Sequence, residues 1–141
     1  MGKINVSRVI VGGLVAGLVL NVFDFVNFGI VFKADYDSAM RALNKPVVSN
    51  NMIMWFVALD FLFGIFLVWL YAAIRPRFGP GPKTAAIAGL AYWVLFGLLH
   101  ALSEAPMGLF PQNLYVSGTV IMLVQSVLAS LVGAKLYTES A

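Results

Sequence analysis

Val9–Phe32 reads VIVGGLVAGLVLNVFDFVNFGIVF, an apolar run that carries Asn21, Asp24 and Asn27 in its second half. The run is long enough to cross a bilayer as a helix. A carboxylate inside such a helix costs free energy unless the interior of a helix bundle receives it. The fold therefore turns on what the rest of the chain brings to Asp24.

The rest of the chain is also apolar. Of 141 residues, 61% are hydrophobic and 11% charged, and the mean hydropathy is +0.92. Soluble domains carry roughly 25% charged residues, so this composition points to an integral membrane protein. The length suits one domain over residues 1–141. No cysteine is present, which excludes disulfides, thiolate metal sites and thiol redox chemistry. The net charge of +3 is spread over connections and forms no basic stripe interleaved with aromatics, so nucleic acid is not an expected partner. Lys3 and Arg8 precede the first run as in a signal peptide, but the run exceeds the usual apolar core and no A-x-A-like site follows it, so it reads as a retained span. Ser7 stands one position too late for the myristoylation pattern beginning Met1-Gly2.

Four runs exceed the about 20 helical residues that span the hydrocarbon core: about 9–32, 52–74, 84–105 and 114–137. Period-2 alternation is absent, which excludes a membrane barrel. The expected fold is all-α, a bundle of four transmembrane helices. The connection Lys33–Asn51 contains a short helix at about 37–44, with Asp37 or Ser38 as its cap, an Asp37–Arg41 pair and a Tyr36, Met40, Leu43 face for the membrane surface. Arg75–Lys83 holds three prolines and two glycines and reads as a stiff, basic, non-helical turn. With both termini inside, the inner side carries Lys3, Arg8, Arg75, Arg77, Lys83 and Lys135, against Lys33, Arg41 and Lys45 outside. The positive-inside rule then places both termini in the cytoplasm. Gly13-Leu14 and Gly89-Leu90 stand at the same spacing before Asp24 and His100, and Leu70-Tyr71 and Leu136-Tyr137 end the even runs. A duplicated two-helix hairpin would explain this echo.

A helical rise of about 1.5 Å per residue puts Asp24 and Asp60 each about 12 Å below the outer boundary, His100 about 8 Å and Gln125 about 16 Å, with Asn21 near Gln125 in height and Glu104 near the surface. One polar slab in the outer leaflet is the expectation. The faces agree: Gly13, Gly17, Asn21, Asp24 and Phe28 form one helical stripe, and so do Gly89, Trp93, Phe96, His100 and Glu104. Asp60 shares a stripe with Phe56, Gly64 and Leu67, and Gln125 lies near Gly118, Ala129 and Gly133. Small residues on such faces let helices approach closely.

Asp24, Asp60 and His100 are thus candidates for a titrating cluster that binds or transports a proton, a cation or a small polar ligand, with Asn21, Gln125 and Glu104 as further ligand-binding candidates and the Lys33–Asn51 segment as a lid. Four helices enclose little volume, so transport calls for a homodimer. The second reading makes the chain an accessory or scaffolding subunit of a larger membrane complex, its polar residues holding helix register. A membrane-embedded enzyme would need a metal or cofactor at His100, Glu104 and an Asp, and a single histidine argues weakly for that. No G-x-S-x-G elbow and no phosphate-binding glycine loop is present, so no residue is assigned a catalytic role.

The stretch Trp69–Ala85, WLYAAIRPRFGPGPKTA, together with the glycine-rich first helix, resembles a set of small bacterial four-helix integral membrane proteins of unknown function. The resemblance implies a bacterial inner-membrane location. It supplies no activity and no site residues.

Overall fold

The computed structural model describes residues 3–139. The Met1-Gly2 start, on which the lipidation pattern rests, lies outside the described residues. Helix α1 (Val6–Val26) continues through a π-helical turn (Asn27–Val31), and α2 (Lys33–Ala42) follows at once. Next come α3 (Asn50–Phe78), and α4 (Pro82–Trp93) with a second π segment (Val94–Leu99), α5 (His100–Glu104) and a 3₁₀ turn (Ala105–Met107). Helix α6 (Gln112–Ala134) closes the chain, and there is no strand among the described residues. The four segments Val6–Val31, Asn50–Phe78, Pro82–Met107 and Gln112–Ala134 are long and apolar enough to cross a membrane, as in a multi-pass membrane protein.

The spans close a ring. α1 packs most extensively on α3, α4 on α6, α1 also on α6, and α3 on α4. Glycines set the closest approaches. A methyl on Gly64 would run into the backbone of Gly13 and Gly17, and one on Gly12 would stand 2.6 Å from the carbonyl oxygen of Gly133. With nothing but hydrogen on these faces, backbones meet directly and dispersion replaces the hydrophobic drive that lipid cannot supply. Leu20, Leu67, Val68 and Tyr92 fill the remaining core, each at most 2% exposed. The outward faces carry Leu14, Leu18, Leu62 and Leu95, all exposed, as lipid-facing positions require.

The basic turn differs from the expectation. Helix α3 runs through Pro76 to Phe78, and Pro82 opens α4. Pro76 removes one helical hydrogen bond, but three contacts hold the segment around it. Gly79 N–H donates to the Arg75 carbonyl at 2.8 Å. The buried Thr84 hydroxyl lies 3.2 Å from the Phe78 carbonyl and 2.6 Å from that of Gly79. Gly81 N–H donates to the Tyr71 hydroxyl at 3.2 Å. The left-handed φ values of 84° at Gly79 and 117° at Gly81 are where glycine is required. Tyr137 packs edge-on against Tyr71 with centroids 5.9 Å apart, its hydroxyl accepts from Asn5 N–H at 3.3 Å, and Arg75 lies over its ring. Arg75 also stands 3.1 Å from Glu139. This turn end ties both chain ends to the loop between the second and third spans.

At the opposite end, α2 begins at Lys33 rather than Asp37, because the chain enters it directly from the π turn. Asp37 therefore pairs backwards, with Lys33 at 2.6 Å, instead of capping. Tyr36 and Met40 are half-buried and Ala39 is buried, so α2 lies across the end of the bundle with this face inward.

Candidate functional site

Asp24 and Asp60 meet. Asp24 is brought in from α1 by the Gly13/Gly17 face, which sets the α1 backbone against α3 near Asp60 and Gly64. The two carboxyls lie beside one another. Gln125 Nε2, from α6, donates to Asp24 Oδ1 at 3.1 Å. Asp60 is 8% exposed and Gln125 6%, while Asp24 keeps an accessible edge.

That edge faces a cavity of about 150 Å³, lined among others by Asp24, Asn27, Tyr36, Ser117 and Gln125. It is roomy enough for water or a small cation. Tyr36, from α2, stands over it, and burial pushes its phenol above the usual value, with the nearby Asp24 charge adding to the effect. A tyrosine that stays neutral beside a carboxylate is a hydrogen-bond donor in waiting.

Asn21 does not join the pair. Its amide donates to the carbonyls of Gly17 at 3.0 Å and Val57 at 3.3 Å, strapping α1 to α3 one turn below Asp24. His100 does not join it either. Its side chain is 61% exposed, and Nε2 lies 3.4 Å from Glu104 Oε1 on its own helix. The reason is the π segment at Val94–Leu99. A π turn holds one residue more than an α turn, so the stripe from Gly89 and Trp93 slips in phase: Gly97 becomes the buried position, and Phe96 and His100 turn outward. The three-member Asp24/Asp60/His100 cluster is thereby replaced by two separate groups, Asp24–Asp60–Gln125 inside and His100–Glu104 at the rim.

The His100–Glu104 pair borders a second cavity, about 230 Å³, walled by Phe28, Tyr36, Phe96, Phe110 and Tyr115. Phe28, Tyr36, Gly118 and Met122 line both cavities. Among the described residues, no three His, Asp or Glu side chains gather as a metal site would require, and the set His100, Glu104 plus an Asp is split between the two groups.

Tyr36, read from the sequence as part of a face for the membrane surface, instead lines both cavities, and Met122 lines them with it. The short distance from the end of the first apolar run at Phe32 to Tyr36 was the signal for Tyr36.

The fold and site define a multi-pass α-helical membrane protein with a half-buried carboxyl pair beside a cavity. Comparison with protein-family models, with curated proteins and with solved structures returns no match to this chain.

Proposed function

We propose that this protein takes up a proton or a small cation at the Asp24–Asp60 pair, from the side of the membrane on which α2 lies. The observation that carries the reading is that Asp24, held by Gln125 at 3.1 Å and beside Asp60, lines a cavity from inside a span. Intramembrane carboxyls are expensive, and the sites that keep them commonly exchange protons or bind ions. A cation that enters beside Asp24 competes with a proton for the carboxyl pair, so uptake of one releases the other. The Lys and Arg distribution supports α2 outside and both termini in the cytoplasm, and the resemblance at Trp69–Ala85 supports a bacterial inner membrane. Translocation across the bilayer calls for a second copy to complete the path.

The test is proton release from the purified full chain in lightly buffered detergent, read with an indicator dye on addition of methylammonium or sodium. Wild type releases protons, and Asp24→Asn and Asp60→Asn release none while keeping helicity and unfolding midpoint. Equal release by both variants and wild type overturns the reading. The near-complete burial of Asp60 and Gln125 favours a second reading, an accessory subunit whose polar layer only holds helix register. In that case the same variants lose stability, wild type releases no protons, and the protein co-purifies with other membrane subunits.

A further inference from the structure

The larger cavity has a chemistry the carboxyl pair does not use. Phe28, Tyr36, Phe110 and Tyr115 follow one another around it, with centroids 4.9, 5.8 and 6.1 Å apart and planes inclined by 59°, 64° and 77°. Edge-to-face packing joins these rings into one continuous aromatic wall. Phe96 closes the wall, and Glu104 supplies a carboxylate at the rim. The Tyr115 hydroxyl is buried and has no hydrogen-bond partner among the described residues, and His100 stands at the rim 3.4 Å from Glu104.

Aromatic faces attract a cation through the ring quadrupole, and several rings with a carboxylate recognise alkylated ammonium groups, whose positive charge is spread over an apolar surface. A bare metal ion would gain little here, since these rings offer no set of oxygen ligands. An anion would meet Glu104 and the negative ring faces. A neutral apolar molecule would leave both Glu104 and the Tyr115 hydroxyl unused.

We infer that this cavity is an entry site for a small organic ammonium ion, held by the ring of Tyr36, Phe110 and Tyr115 with Glu104 as counter-charge. Tyr36 and Phe28 line this cavity on one side and the Asp24 cavity on the other, so they form the partition between the entry site and the carboxyl pair. The inference rests on the reading of that pair as a cation site for the destination alone, and it names the class of cation.

Labelled choline serves as the probe, with equilibrium dialysis against the purified full chain in detergent. The control competitor is choline's neutral isostere, in which a tert-butyl group replaces trimethylammonium. Choline binds saturably, Glu104→Gln and Phe110→Ala each weaken it by about tenfold, and the isostere does not compete. Circular dichroism checks that the variants are folded, and because Glu104 and Phe110 lie on different elements, both failing to fold is not expected. Competition by the isostere at equal concentration, loss of binding in Asp24→Asn with Glu104→Gln unaffected, or no binding at all each overturns the inference. Absence of choline binding alongside sodium-driven proton release would leave the carboxyl-pair reading standing, so the two fail separately.

Discussion

At the turn end of the bundle Gly12 faces Gly133 and Gly64 lies against Gly13 and Gly17, whereas at the α2 end the same helices stand apart around Asp24, Tyr36 and two cavities. Both π segments, Asn27–Val31 and Val94–Leu99, belong to the α2 half. The contrast shows how one small bundle divides its labour. Backbone contact through glycine supplies rigidity at one end. Local under-winding at the other turns side chains out of the packed stripe and leaves room. π turns cost hydrogen-bond geometry and often mark functional positions, and the tightly packed half supports that cost.

The largest test of this contrast is Gly64→Leu. Its Cβ would overlap backbone atoms of two residues, which cannot rotate away as a flexible side chain can. Overpacking typically costs roughly 1–3 kcal/mol, and the expected loss here is at the upper end or beyond, seen as a fall in the folded fraction during titration with SDS in mixed micelles. Gly29→Leu, whose nearest neighbours are Phe25 ring carbons 3.6 and 3.7 Å away, should shift the midpoint by less than about 0.5 kcal/mol. Equal effects at both glycines would break the contrast between the halves.

Asp24→Leu comes next. It removes the acceptor of Gln125 and leaves that buried amide unpaired, at a cost of about 1–3 kcal/mol in the same titration. Asp24→Asn keeps an acceptor oxygen and should cost clearly less, so the gap between the two variants measures hydrogen bonding apart from charge. The smallest expected effect is Ser130→Ala. The Ser130 hydroxyl is fully buried and donates to the Ala85 carbonyl at 2.7 Å, from α6 to α4. Single interhelical hydrogen bonds of this kind average about 0.6 kcal/mol in membranes, and a loss well above that would mean the turn half depends on polar contacts as well as on glycine.

Much of this fold was legible along the chain. The four spans follow from length and hydropathy, and the nearness of Asp24 and Asp60 follows from height and face, whereas height alone set Gln125 level with Asn21 and not with Asp24, its partner. Both rest on regular α-helical spacing. The reading failed for His100 where that spacing ends, because a π segment changes the phase of everything beyond it and leaves no mark in composition. It failed for Arg75–Phe78 for a different reason. Proline argues against helix locally, but a Thr84 hydroxyl and a tyrosine from the preceding turn supply bonds that a local rule does not see.

By itself the sequence determined that this protein has four spans and that carboxyls lie within them, because bilayer thickness and the cost of an unpaired charge act on each helix separately. Only the tertiary structure decided which polar residues share a site. Partnership depends on helix phase, on how close the glycines let the backbones come, and on where α2 folds back to set Tyr36 between the two cavities.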